Sequence, residues 1–367
     1  MSNLHEIIQQ ILNNTNSAVV LVLFTSFFTS LFSIPIILHI SRSKNIFDKP
    51  NGRTSHFENT PTLGGIAIFV GFVISILLFG NISSEYGLQY LIASLMIVFF
   101  IGIKDDIYLI SLSKKFIWQF IIIFILIFLG DFRFLSLGGF LGIYEIPYFI
   151  SVVISAFVFI VLINCINLID GVDGLASGLS IVIAGIFAVF FYSQESRDNL
   201  LISIGLLGSL IPFFIYNVFG KKNKLFMGDT GALIIGVISV VLVIKFNVLS
   251  TKSMGWFEIT AAPAMSIAIF FIPLYDTLQV FTFRILNRKS PFSADKNHLH
   301  HRLLRMGLTH IQTSLILISL NLLIIICSYF LQFLGVFALS ILLLFTGLLI
   351  SMTIWLLLRR KKNIQLA

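Results

Sequence analysis

Charge is scarce in this chain. Only 11% of its 367 residues are Asp, Glu, Lys or Arg, against 57% apolar ones, which is too little polar surface for a soluble globule of this size. Cysteine is scarce as well. Cys165 and Cys327 are the whole complement, and each falls within or at the end of an apolar run, so both are expected as buried thiols and a disulfide is not expected. No Lys or Arg precedes Arg42. A cleaved signal peptide is therefore not expected, and "MSNLHEIIQQILNN" reads as a short amphipathic lead-in. No internal repeat, low-complexity linker or second domain is visible, so residues 1–367 read as one membrane-embedded domain.

What the chain has in abundance is uninterrupted hydrophobicity. Apolar runs of about 16–25 residues recur, the length that spans a bilayer, and they lack the alternation of barrel strands, which leaves helices as the way to satisfy the backbone in lipid. The expected class is an all-α polytopic integral membrane protein with about eleven transmembrane helices. The segments are Ser17–Ile40, Leu63–Phe79, Leu88–Ile103, Phe116–Leu129, Tyr148–Ile166, Gly178–Tyr192, Leu200–Val218, Gly231–Phe246, Ile259–Phe283, Ser314–Leu331 and Leu334–Leu358. The fourth is short, anchored by Lys115 and Trp118 at the interface.

Alternate loops hold 20 of the 24 basic residues, including Arg42, Lys49, Arg53, Lys104, Lys221, Arg284, Lys289, Lys296 and Arg359, while Arg133, Arg197, Lys245 and Lys252 fall on the other side. The positive-inside rule then puts the N-terminus outside and the C-terminus in the cytoplasm. The net charge of +8 reads as topology plus attraction to anionic lipid or ligand, and nucleic acid is not an expected partner.

That orientation collects the chemistry on one face. "KDDIYLISLSKK", "NLIDGVDGLASG", "NKLFMGDTGA" and "SADKNHLHHRLLRMG" all fall in cytoplasmic loops, whereas acids outside, such as Glu85 and Asp198, look like solvated punctuation. One-sided clustering of acids, glycines, histidines and basic residues suggests an enzyme site facing the cytoplasm. Each cluster also has a plainer reading. Asp105 and Asp106 could be a polar stop to the third span, although adjacent like charges are tolerated best where a metal or shared proton relieves them. The two Asp-Gly pairs of "DGVDG" could be turns. In "FMGDTGA" the Asp and Thr could cap a helix, or Asp229 could ligate a divalent cation while the glycines let a phosphate approach the helix start. "HLHHRLLR" suits phosphate contacts better than structural zinc. Asp276 lies about 12 Å into its span at about 1.5 Å per residue, and an ionisable group at that depth is functional by default or paired with a neighbouring span.

In order, "DKPNGRTSHFENTPTLGG", "KDDIYLISLSKKFIWQ", "NCINLIDGVDGLASG", "FMGDTGA" and "SADKNHLHHRLLRMG" resemble the polyprenyl-phosphate N-acetylhexosamine-1-phosphate transferases, glycosyltransferase family 4. The resemblance runs from about Asp48 to Gly307. It implies a Mg²⁺ enzyme, or one that accepts Mn²⁺, that moves a sugar 1-phosphate from a UDP-sugar onto a polyprenyl phosphate such as undecaprenyl phosphate and releases UMP. It implies a bacterial inner-membrane location, the bilayer and the two substrates as partners, and it leaves a homodimer open.

By the same resemblance Asp229 is the principal metal ligand, with Asn167 a second candidate. Asp105 and Asp106 are the catalytic pair, and Lys115 serves the lipid phosphate. Asp170, Asp173 and Phe226 belong to nucleotide recognition and Asn217 to the cleft wall. His298, His300, His301 and Arg302 contact the sugar phosphate. "DKPNGRTSH" and "DKNHLHHRLLRMG" are similar to the branch that uses UDP-N-acetylglucosamine to start envelope polysaccharides such as O-antigen. The peptidoglycan branch, which transfers phospho-N-acetylmuramoyl-pentapeptide, usually has three consecutive histidines followed by an acid; here Leu299 interrupts them and Arg302 follows. From another class, a transporter or flippase with Asp276 and Asp170 as a proton relay is the alternative, disfavoured by the absence of a repeat and the position of the acids at span ends.

Overall fold

A computed structural model of the chain describes residues 14–48, 60–80, 87–108, 110–251, 255–288 and 297–366. The lead-in before Asn14, most of the "DKPNGRTSHFENTP" stretch, Glu85, Lys252 and the segment 289–296 with its two lysines lie outside the described residues.

The architecture is nearly all-α. In chain order the main helices are α1 (Thr15–Ser43), α2 (Gly64–Phe79), α3 (Leu88–Tyr108), α4 (Leu112–Phe124), α5 (Tyr148–Ile169), α6 (Leu175–Ser193), α7 (Arg197–Phe219) and α8 (Gly228–Ser250). They are followed by α9 (Ala262–Ile269), α10 (Phe271–Leu286), the short α11 (Leu299–Arg305), α12 (His310–Leu331) and α13 (Gly335–Leu366). The all-α expectation is corrected at two loops. Strands β1 (Phe47–Asp48) and β2 (Thr60–Pro61) pair antiparallel, and β3 (Ser136–Phe140) and β4 (Ile143–Glu145) form a hairpin. The hairpin turns on Leu141 and Gly142, both with positive φ, as a two-residue loop between twisted strands requires.

Among the described residues seven helices are long and apolar enough to cross a membrane, or eight if the bent pair α9–α10 counts as one. One of the seven is the stretch His310–Lys361, too long for a single pass at about 1.5 Å per residue. It doubles back: Lys361 Nζ donates to Met306 O beside the start of α12, while Gln332, between α12 and α13, bonds Thr260 and Glu258 at the other end of the bundle. The pair α9–α10 bends by 79°, and buried Asn321 covers the break, accepting from Ile272 N and donating to Ile269 O. That side chain satisfies backbone groups which lipid could not.

α8 is the hub. It is buried along almost its whole length and packs against α2, α3, α5, α6 and α7. α1, α2 and α7 meet through small residues: Ser30 Oγ donates to Ser209 O, and a Cβ on Gly71 would strike Ser26 and Ser30. Close approach of this kind is what small side chains permit in apolar surroundings. It carries the start of α2 onto the start of α8, where Gly64 N and Gly65 N donate to Phe226 O and Met227 O. The start of α1 and the end of α13 lie at opposite ends of the bundle. Asn16 meets Tyr192 at one, whereas Arg42 reaches Lys222 O and Lys361 reaches Met306 at the other, where the carboxylates collect.

Cys165 is buried as expected, but Cys327 is exposed on the outer face of α12. The fourth segment also starts earlier than read, at Leu112, because Lys114 and Lys115 extend the helix instead of ending it.

Candidate active site

The site begins with a loop that cannot take side chains. Gly228 has φ +72°, and a Cβ there would sit 2.7 Å from the Asp106 carboxylate; one on Gly102 would strike Thr230, and one on Gly65 the backbone of Gly231. These glycines bring the ends of α2, α3 and α8 into backbone contact. Asp106, on the last turn of α3, then accepts Asp229 N at 2.7 Å, Thr230 N at 3.3 Å and Thr230 Oγ1 at 2.6 Å. A carboxylate at a helix start is favourably placed against the helix dipole and its unpaired N–H groups. The α8 cap is therefore supplied by α3. Asp229 and Thr230 lie in the first turn, after an N-cap at Met227 with no side-chain cap bond, which replaces the plainer reading of these two residues as the cap.

With its backbone held in this way, the Asp229 side chain is directed into a cluster. Asn167 Nδ2 donates to Oδ1 at 2.5 Å and Lys115 Nζ lies 3.1 Å from Oδ2. Lys115 also pairs with Asp105, whose other oxygen accepts Ile110 N at 2.6 Å. One ammonium thus lies between two carboxylates. Asp105 and Asp106 follow Ile103, where the apolar part of α3 ends. Burial first, then the Asp229 charge, pushes Asp105 up to about 6 and Asp106 to about 7, against hydrogen bonds that favour their ionised forms. The cluster is short of positive charge. Its donors are all hard oxygens, so Mg²⁺ or Mn²⁺ fits beside Asp229 where a soft-ligand metal would not. A narrow apolar recess lined by Val98, Trp118, Ile122, Ile163 and Val237 runs up to Lys115.

The Asp-Gly turn adjoins this cluster through α5, which carries Asn167 and ends at Asp170. Asp173 pairs with Lys224 at 2.6 Å and with His310 Nδ1 at 3.1 Å, and its carbonyl accepts Ser314 Oγ. Asn217 ties the turn to the loop before α8, accepting Gly174 N at 2.6 Å and donating to Leu225 O at 2.9 Å. Phe226 and Asp170 are half-buried beside it.

On the third side, α11 carries His300, His301 and Arg302, with His298 at its N-cap. Asp276, on α10, lies under this helix and faces His298 and His300. Arg302 is buried. Both its terminal nitrogens lie within hydrogen-bond distance of the Gln279 amide oxygen once that amide is turned to satisfy its neighbours, and its guanidinium lies 5.5 Å from the Phe283 ring centre.

All the residues singled out from sequence therefore gather at one end of the bundle in three adjoining groups: Asp105, Asp106, Lys115, Asn167 and Asp229; Asp170, Asp173, Asn217 and Phe226; His298, His300, His301 and Arg302. Sequence reading did not place Thr230, Lys224, His310 or Gln279 in the site. Thr230 and Lys224 flank "FMGD" and were within reach of the motif. His310 and Gln279 carry no local signal, being brought in by the fold-back of α12 and the bend before α10.

A family model described as Glycosyl transferase family 4 matches residues 88–247. A Bacillus subtilis (strain 168) protein named "Probable undecaprenyl-phosphate N-acetylglucosaminyl 1-phosphate transferase" is 30% identical over 341 residues, 91% of this chain and 92% of that one. An undecaprenyl-phosphate alpha-N-acetylglucosaminyl 1-phosphate transferase of Yersinia pestis is 29% identical over 75% of this chain and 73% of its own. A decaprenyl-phosphate N-acetylglucosaminephosphotransferase of Mycobacterium leprae (strain TN) is 28% identical over 71% and 70%.

Proposed function

The chain belongs to glycosyl transferase family 4, and from that premise we propose that it transfers N-acetylglucosamine 1-phosphate from UDP-N-acetylglucosamine to a polyprenyl phosphate. The products are UMP and a lipid-linked diphosphosugar, the starting unit of an envelope polysaccharide. The observation that carries this reading is the Lys115 ammonium, held between Asp105 and Asp229 where the apolar recess meets the carboxylates. A lipid phosphate needs a cation at the end of an apolar path, and a nucleotide diphosphate needs a metal within reach of the same point.

Mg²⁺, when bound, neutralises charge on the diphosphate and polarises the phosphorus under attack. The chain's own groups do the rest. Asp229, steadied by Asn167, would hold the metal. Lys115 receives the lipid phosphate and orients its oxygen for in-line attack, so positioning and charge neutralisation supply most of the rate. Asp105, next to Lys115, can accept a proton from that phosphate. Since a phosphate's second pKa is about 6, this contribution is small near neutral pH. Asp173, braced by Lys224 and His310, faces the nucleotide with Asp170, and Phe226 offers a ring for uracil to stack on. His301 meets the sugar phosphate.

UMP release by purified protein tests this reading. It requires UDP-N-acetylglucosamine, undecaprenyl phosphate and Mg²⁺ together, and release without the lipid phosphate, or undiminished release after chelation of the metal, would contradict it.

The topology that goes with it has eleven spans in the bacterial inner membrane, the N-terminus outside and the site on the cytoplasmic face. In protein lacking Cys165 and Cys327, Lys221→Cys is expected to react with an impermeant maleimide only from the cytoplasmic side. Glu145→Cys, on the hairpin at the other end, is expected to react only from outside. Labelling of both from one side would overturn this orientation.

A further inference from the structure

Two of the three histidines next to the nucleotide turn are too buried to meet a substrate. His298 is 5% exposed and His300 1%, whereas His301 is half-buried. Both buried rings turn Nδ1 toward one oxygen of Asp276, itself 2% exposed: His298 at 2.9 Å and His300 at 3.4 Å. The other oxygen accepts Leu299 N at 2.6 Å. A carboxylate can only accept, so the shorter contact places the His298 proton on Nδ1. The far edge of His300 is also engaged. Its Nε2 stands 3.1 Å from the position a Cβ on Gly171 would occupy, so the imidazole fills the space that a side chain on the Asp-Gly turn would need. Burial holds the His300 pKa below its ordinary value.

We infer that Asp276, His298 and His300 form a positioning clasp in which Asp276 on α10 holds the His298 imidazole by Nδ1 and lies 3.4 Å from Nδ1 of His300, whose ring props the turn Asp170–Asp173, leaving His301 as the histidine that meets substrate. The inference rests on the reading of that turn as the UDP-binding element. It also gives Asp276, deep in a bent span, a role that needs neither proton transport nor contact with substrate. The three ligand atoms lie within 4.8 Å of one another and could in principle hold a metal. The 2.9 Å contact between His298 and Asp276, however, has the length of an ordinary N–H···O bond, so a proton accounts for it.

A clasp that acts through the turn has a kinetic signature which a general loss of stability lacks. Gly171→Ala is expected to raise the KM for UDP-N-acetylglucosamine about tenfold, equivalent to about 1.4 kcal/mol of binding, with kcat within about threefold of the parent. His300→Ala is expected to raise the same KM. In the double variant the new methyl has the space that the ring vacated, so the combined effect is smaller than the product of the two. Asp276→Asn is expected to raise this KM too and, in ¹⁵N-histidine-labelled protein, to remove a Nδ1–H signal present in the parent. Multiplicative effects at 171 and 300, or a His300→Ala variant that loses kcat with KM unchanged, would overturn the clasp. So would one equivalent of zinc in purified protein that disappears with Asp276→Asn. If Asp276→Asn does not fold, the cycle at 171 and 300 decides, because it leaves Asp276 in place. Parent protein that shows the Nδ1–H signal but binds no UDP-sugar would overturn the nucleotide assignment of the turn, and the spectrum would separate that failure from failure of the clasp itself.

Discussion

Asp229→Asn is expected to lower turnover at saturating substrates by at least about a thousandfold, the upper part of the range for removing one preorganised charge-stabilising group, while the protein stays folded. The geometry explains both halves of that expectation. The side chain is held on one oxygen by Asn167 and on the other by Lys115; an amide of the same size fills the same space, and the Asn167 amide can turn its own oxygen toward the new N–H₂, so the packing is kept. The substitution also removes the negative charge that a divalent cation would neutralise. Lys115 would then face Asp105 alone, and the cation site would lose its strongest oxygen donor. Turnover measured against Mg²⁺ concentration checks this: residual activity should need far more metal than the parent does, and normal activity at ordinary Mg²⁺ would remove Asp229 from the site.

Asp106→Asn is expected to lower kcat by about a hundredfold or more with a much smaller change in UDP-sugar affinity, for a reason that differs from the Asp229 case. Asp106 accepts three hydrogen bonds from the first turn of α8. These bonds fix the backbone of Asp229, and a carboxylate engaged in this way is not a free general base. An asparagine keeps one acceptor oxygen but presents N–H₂ where the second oxygen was, opposite N–H and O–H donors. The start of α8 shifts, and with it the Asp229 carboxylate proposed to hold the metal. Asp173→Asn acts elsewhere. It breaks the pairing with Lys224 and His310 and is expected to weaken UDP-sugar binding. Calorimetry with UDP-sugar and Mg²⁺, paired with rates at saturation, separates the two. Loss of nucleotide binding with near-normal turnover in Asp106→Asn would reverse the assignment.

How much of this could be read from the chain differs by level. The helical class followed from long apolar runs, because lipid leaves the backbone few alternatives. The gathering of the acids followed from loop charge and motif order. The sequence did not reveal which of two adjacent aspartates does what: Asp105 and Asp106 are neighbours in the chain but point to different helices, one to Lys115 and the other to α8. That division depends on helix rotation, which one charged dipeptide does not encode. The roles of His298 and His300 were hidden for a related reason. A histidine-rich loop reads as exposed phosphate-binding surface, and only the bend before α10 brings Asp276 beneath it. Arg302 was read as a phosphate contact on the same grounds; the structure buries it with Gln279 and the Phe283 ring among its neighbours.

The most direct test of the central claim is the mass of the lipid product made by purified protein from undecaprenyl phosphate, Mg²⁺ and a panel of UDP-sugars offered together. A single new species is expected, undecaprenyl diphosphate carrying one N-acetylglucosamine, formed in step with UMP. A product carrying N-acetylmuramoyl-pentapeptide, or no lipid-linked sugar while UDP-N-acetylglucosamine is intact, would contradict it.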